Sequence, residues 1–416
     1  MTRTPLPPSG QFIASVRRSC HEARVAHGIQ IPEENIERLL LSPAFTTTYQ
    51  RIAANSHGLA FPLNFPSPLA ELNVLSILSL LNIGSGFRTA LHEQTGRGAW
   101  DSIRTFVFGL YLTSSSGDGD LLSAQGMKQI GDAQIAELLG VNVHVEKAHD
   151  SIAGLTVGEV GGAGWEIVQL LKQLMNETGK ILVENGYSDL GSFVVEALKE
   201  GQNVATKTGD KDALAEVVLE RLVTAFPGFQ DMEMINDQPI YCFKKALFVI
   251  YGVAIRFGSK STAPFPVPDA STLPVCTDNV LPSMLVHLGV LDLSACEPAL
   301  KGAFEGAGAP QALEVLLAPA PDPVEGTAKS AAKVVPKEGP VLTTEQAYIL
   351  RAAAIDACEL IVETARSMDE EELRKQGLVW IKDIVLPDVD TWLWAVAKDR
   401  PDYRKLDRFV HRCRFY

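Results

Sequence analysis

Residues Trp165–Glu184 read WEIVQLLKQLMNETGKILVE. Ile167, Leu170, Leu171, Leu174, Ile181 and Leu182 fall on one face of a helical period, with polar residues opposite. That is the pattern of an amphipathic helix laid on a core. The same period recurs on both sides of it. Toward the N-terminus, Phe12, Ile13, Val16, Cys20 and Val25 follow Ser9, which reads as an N-cap. Pro32 opens Glu33–Leu41 in the first-turn position it favours. Leu72–Leu81 is apolar nearly all round and predicts a buried helix, and Asp101–Leu112 carries Ile103, Phe106, Val107, Leu110 and Tyr111 at helical spacing. Toward the C-terminus, Ala213–Phe226 continues the style, and Thr343 and Gln346 have capping-box spacing before Tyr348–Arg366. Strand-like alternation is confined to Asn142–Glu146 and Asp237–Phe243, each a hairpin arm or an extended loop. The fold class is therefore mainly α with few short strands. A βαβ rhythm is absent, and with it a Rossmann-like sheet.

The chain has 416 residues and a formal net charge of -13, from 37 Lys and Arg against 50 Asp and Glu. A negative balance argues against gripping long nucleic acid by the whole surface, while a local basic pocket for one phosphate stays open. The six cysteines include no CxxC pair, so reduced, buried thiols are expected rather than a zinc or redox site. Met1–Gly10 lacks the apolar segment of a secretory signal. Leu72–Ile83 and Ala246–Ile255 fall short of the roughly 20 residues that span a bilayer. The expectation is a soluble cytoplasmic protein with no membrane partner. Ala318–Pro340 (APAPDPVEGTAKSAAKVVPKEGP) is rich in Pro, Ala, Lys and Glu. It predicts a flexible insertion within one helical domain spanning residues 1–416, not a boundary between two.

Several motifs are weak. Gly84-Ser85-Gly86 and Gly158–Gly162 fit neither the dinucleotide fingerprint nor the P-loop, and the eight histidines form no HxxxH pair. His144 and His149 read as solvent-facing rather than as metal ligands. Met232–Met234 and Asp369–Glu372 read as a solvated face or a helix start. Trp392 and Trp394 flank Leu393; core packing is the plainer reading and a base-stacking platform the sharper one.

Taken in order, a set of short stretches adds more. These are Asn176–Leu182 (NETGKIL), then Ala225-Phe226-Pro227 followed by Tyr241–Ala246 (YCFKKA). Thr277–Pro282 (TDNVLP) then runs into Val286–Gly289 (VHLG), and Leu350-Arg351 precedes Glu359-Leu360-Ile361. Last come Leu393-Trp394 before Asp399, and His411–Tyr416 (HRCRFY); Gly98 and Trp100 match a Gly-aromatic-Trp step upstream. The order and spacing over about Trp165–Tyr416 resemble the queuosine salvage family, the queuosine 5'-phosphate N-glycosylase/hydrolases. The resemblance implies a helical architecture like that of DNA glycosylases. It implies hydrolysis of the N-glycosidic bond of queuosine 5'-monophosphate, releasing queuine for reuse in tRNA. It implies a small nucleotide as the partner, no direct nucleic acid, and no metal or organic cofactor; the oligomeric state stays open.

Such a reaction needs a carboxylate beside the anomeric carbon, where positive charge grows, together with cations for the 5'-phosphate and aromatic walls for the base. A 7-deazapurine leaving group offers no ring nitrogen at position 7 to protonate, so charge stabilisation carries more of the work. On the resemblance, Asp278 is the candidate carboxylate, with a helix-capping aspartate as the plainer alternative. Lys244, beside Lys245, is the candidate phosphate donor, with a solvated helix face as its alternative. His411 and Arg412 are similarly placed candidates. Asn82 and Phe87 stand where the family has a Leu-Asn-Phe-Ser-Phe-Trp pocket stretch, here Leu81–Arg88 (LNIGSGFR), and Trp394 is a further wall candidate. Arg351 and Glu359 are expected in structural ion pairs to other elements. The chain departs from the family at Gly252 and Ala395, where carboxylates are usual. A paralog that binds a nucleotide, or serves as a scaffold without turnover, is the alternative those departures motivate.

Overall fold

The computed structural model describes residues 4–53, 58–115, 119–149, 151–152, 154–258, 263–321 and 335–416. It is mainly helical, with two small antiparallel hairpins. The central element is the helix Pro68–Leu80, buried on every side from Glu71 to Leu80. Pro68 fills its first turn, and the Ser67 side chain accepts a hydrogen bond from the Ala70 N–H, so the start is fixed locally. With no polar face to turn to water, it must be enclosed. Leu190–Thr208 and Lys244–Phe257 pack onto it. The first contact is backbone-close, where a Cβ on Gly191 would lie 2.8 Å from Cα of Asn73, and in the second a Cβ on Gly252 would lie 2.7 Å from the Leu75 side chain. Gly252 therefore serves helix packing in the core, against the Leu75 side chain.

The amphipathic helix that opened the reading runs Gly162–Glu184 and buries Ile167, Leu171, Leu174 and Leu182. Phe12–Ala26 packs on Thr344–Ser367, whose start is the expected capping box of Thr343 and Gln346. Ser9 is not the cap of the first helix. The leading N–H groups of Phe12 and Ile13 donate instead to the Glu216 carboxylate, at 2.5 and 3.0 Å, so a distant side chain replaces a local one. Asp369 does start a helix, accepting from the Glu372 N–H.

Met232–Met234 departs from the expected solvated face or helix start. It belongs to the strand Met232–Ile235, paired antiparallel with Gln238–Tyr241. Asn236 and Asp237 both take positive φ, 49° and 61°, giving the tight two-residue turn that Asn and Asp tolerate. The second hairpin pairs His144–Ala148 with Thr156–Val160 and lies exposed. No single described helix is long and apolar enough to cross a membrane. Residues 322–334 of the Ala318–Pro340 insertion lie outside the described residues. Of its remainder, the Pro340 carbonyl accepts from Val410 N–H at 2.8 Å, and a Cβ on Gly339 would lie 2.0 Å from the Arg408 carbonyl oxygen.

Candidate active site

Lys244 begins its helix in an unusual way. Phe243 before it is left-handed, φ 47°, and the backbone N–H of Lys244 donates to Oδ2 of Asp231 at 3.1 Å. Asp231 is in turn gripped by Arg351, with bonds of 2.9 and 2.5 Å, and by the Tyr348 hydroxyl at 2.9 Å. All of this is fully buried for Asp231 and Arg351. Arg351 also donates to the Thr277 carbonyl, at 3.2 and 3.0 Å. One guanidinium thus ties the start of the Lys244 helix to the segment that precedes Asp278. Glu359, like Arg351, makes the expected ion pair to another element, with Arg17 at 2.8 Å.

The consequence is that two segments distant in sequence meet. Nζ of Lys244 stands 3.6 Å from Oδ2 of Asp278 and donates to both the carbonyl and the side-chain oxygen of Asn82, each at 3.1 Å. The solvated face considered for Lys244 and Lys245 is not what forms: both are buried, and Lys245 donates to the Arg414 carbonyl at 2.7 Å. Burial pushes the Lys244 ammonium below its ordinary range, with Asp278 opposing the shift. Asp278 serves two ends. Its Oδ1 accepts from the Val280 N–H at 2.7 Å at the start of the next helix, and its Oδ2 accepts from the Ser85 hydroxyl at 3.2 Å.

Asp278, Lys244 and Asn82 line a cavity of about 960 Å³. A third element, the helix Leu386–Asp399, supplies its other wall. Asp390, Trp394 and Lys398 recur every fourth residue along it, so all three face the cavity. Trp392, two residues from Trp394, points the other way into the core, where its Nε1 donates to Thr48 at 2.9 Å. Trp392 is thus core packing, and Trp394 lines the cavity. Trp100 packs edge-to-face on Trp394 and on Phe248, and these three rings form the aromatic side of the cavity. The Lys398 ammonium lies over the Trp394 ring, 2.9 Å from its centroid.

Burial raises the Asp390 carboxyl to about 7, helped by nearby Asp278 and opposed by the Cys276 N–H, which donates to its Oδ2 at 2.6 Å. Apart from these groups and Asp101, the charged residues of the wall are cationic. Arg88, Lys337, Arg404, Lys405 and Arg408 join Lys398 in its wall. Burial, reinforced by Arg88, lowers the Arg408 guanidinium to about 9. Burial, reinforced by Arg408, pushes Lys398 well below its usual range. Nearby cations deepen both shifts and Asp278 opposes both, so burial and like charge outweigh the one shared carboxylate. Three cavity-lining residues also carry a buried polar atom with no hydrogen-bond partner: Nδ1 of His92, Nε1 of Trp100 and Nε of Arg408.

Asp278, Lys244, Asn82 and Trp394 are therefore brought together. Phe87, His411 and Arg412 do not line the cavity. Phe87 is core, with the Arg412 guanidinium over its ring, and Arg412 pairs with Glu166 at 2.9 Å. His411 presses its backbone on Gly86, where a Cβ would lie 2.4 Å from its carbonyl oxygen. The C-terminal stretch supports the wall rather than furnishing it. Sequence reading missed Asp390, Lys398, Arg408 and Phe248. The four-residue spacing of Asp390, Trp394 and Lys398 was a usable signal for the first two of these.

Residues 166–303 match the family model described as queuosine salvage protein. The matched segment contains Lys244, Phe248, Cys276 and Asp278, and the walls built from residues 82–101 and 390–408 lie outside it. No curated protein matches the chain.

Proposed function

With that family match as the premise, we propose that the chain hydrolyses the N-glycosidic bond of queuosine 5'-monophosphate, or of a closely related nucleotide. The observation that carries the reading is one cavity holding the Asp278 carboxylate, an aromatic wall and the buried Arg408, which makes no ion pair, with Lys398 beside it. In this reading Trp100, Trp394 and Phe248 border the base, and Lys398 leaves the Trp394 face when a ligand enters. Arg408 and Lys398 bind the 5'-phosphate, whose charge satisfies both.

The chemistry follows from the two carboxyl groups. The glycosidic C–N bond breaks, its electrons leaving with the base, and positive charge grows on the anomeric carbon. Asp278, held by Lys244, Ser85 and the Val280 N–H, stabilises that charge and takes a proton from the attacking water. Asp390, raised to about 7, holds a proton it can give to the departing base. One carboxyl is set among donors and the other is buried beside a negative neighbour, so their environments divide the roles.

The test is direct. The purified protein is incubated with queuosine 5'-monophosphate, and free queuine is sought by mass spectrometry, with an active glycosidase of the same specificity alongside. Release by the wild type and none by Asp278→Asn supports the reading. No release by the wild type removes the substrate. The binding or scaffold alternative is favoured by nucleotide binding without turnover.

A further inference from the structure

The cavity holds more positive charge than one phosphate uses. Among the described residues, Arg88, Lys398, Arg404, Lys405 and Arg408 have no carboxylate within ion-pair distance, in a chain whose net charge is -13. They fall into two tiers. Arg408 is buried and Lys398 lies over Trp394, deep in the wall. Arg404 and Lys405 are exposed at the mouth, with Arg88 half-buried between the tiers. The tiers are joined. The Arg404 guanidinium donates to the Lys398 carbonyl, at 3.2 and 2.6 Å through Nε and Nη2. Nη2 of Arg88 donates to the Arg404 carbonyl at 3.2 Å.

A phosphate monoester carries about two negative charges, which the inner pair neutralises. The outer cations then leave positive charge at the mouth that no ion pair neutralises, which draws a further anion. We infer that the mouth of this cavity takes a second phosphate linked directly to the first, so that the site accepts nucleoside 5'-diphosphates and holds them more tightly than monophosphates. The inference rests on the nucleotide reading above and extends it from one phosphate to two. The cavity volume of about 960 Å³ lies at the upper end of ligand pockets, so the longer ligand has room. The order of the tiers sets the direction: base against the aromatic wall, first phosphate on Arg408 and Lys398, second phosphate on Arg404 and Lys405.

The test is calorimetric titration of the full chain with guanosine 5'-monophosphate, guanosine 5'-diphosphate and guanosine 3',5'-bisphosphate. These place the second phosphate next to the first, or across the ribose from it. The expected result is a diphosphate affinity at least about tenfold above that of the monophosphate, with charge-assisted bonds supplying the difference. In the Arg404→Gln/Lys405→Gln double variant that gap closes while monophosphate affinity stays near wild type. Equal affinities for mono- and diphosphate in the wild type overturn the inference. So does a gap that survives in the double variant, a gain confined to the 3',5'-bisphosphate, or no binding of any of the three. Queuine release separates this claim from the reaction. Turnover with no diphosphate preference sinks only the second-phosphate claim, and a preference without turnover sinks only the reaction.

Discussion

Nζ of Lys244 and Oδ2 of Asp278 stand 3.6 Å apart, with side-chain exposures of 3% and 8%. At that separation and depth burial lowers the basicity of Lys244, and the Asp278 carboxylate is the strongest of the groups that oppose the fall. The pair is held from behind by Asp231 and Arg351, neither of which lines the cavity.

Asp278→Asn keeps an oxygen for the Val280 N–H and removes the negative charge. Turnover of the nucleotide should fall by at least about 100-fold, the scale of a positioned carboxylate, measured below a melting temperature that itself falls because Lys244 is left buried without its charge partner. A loss under about tenfold, measured as kcat by queuine release, would mean that the key carboxylate is elsewhere.

Asp390 sets a pH dependence. Its folded carboxyl titrates at about 7, above its ordinary range, because burial favours the neutral form. As a proton donor it is competent below that value, so kcat/KM should fall on the alkaline side of about 7. The sign for stability is the same. The neutral form's contribution is complete below the ordinary carboxylate range and is lost as pH rises through about 7. Asp390→Asn should lower the rate, remove the alkaline limb, and lose less melting temperature than wild type between pH ~5 and ~8. An unchanged alkaline limb in that variant would show that another group titrates.

Arg351→Met leaves Asp231 as a buried charge without its partner. Such removals cost about 3–5 kcal/mol, so urea denaturation should show a loss on that scale, and activity should fall with the tie between the Lys244 helix and Thr277. A loss under about 1 kcal/mol would mean that the network relaxes around the gap.

Arg408→Gln should raise KM for the nucleotide by about tenfold or more and leave the unphosphorylated nucleoside unaffected, because one charge-assisted contact to phosphate is removed. An equal effect on both substrates, in steady-state kinetics, would place Arg408 at the base or sugar instead.

Replacing residues 322–334 with a short Gly/Ser loop should shift the melting temperature by only a few degrees, since loop-closure cost changes slowly with length. Extending the replacement through Lys337 should impair turnover, because Val335, Pro336 and Lys337 line the cavity and the Thr89 hydroxyl donates to the Pro336 carbonyl. Equal behaviour of the two variants would detach the cavity wall from this segment.

The sequence alone determined the helices, because periodicity and caps are local: the Trp165–Glu184 stripe, the all-apolar Leu72–Leu81 stretch and the Thr343–Gln346 box each form as their residues dictate. It also singled out Asp278, Lys244, Asn82 and Trp394 through ordered motifs. What only the tertiary structure decided is which charged groups share one cavity. Lys244, in sequence a phosphate-donor candidate with a solvated face as its alternative, is instead buried against Asp278 and Asn82. Asp390, Lys398 and Arg408 look ordinary in sequence, and their perturbed acidities arise from burial beside one another. His411 and Arg412 carry suitable chemistry but are turned away by the close approach of their backbone to Gly86. Burial and through-space charge depend on contacts between residues up to hundreds of positions apart, and no local pattern encodes them.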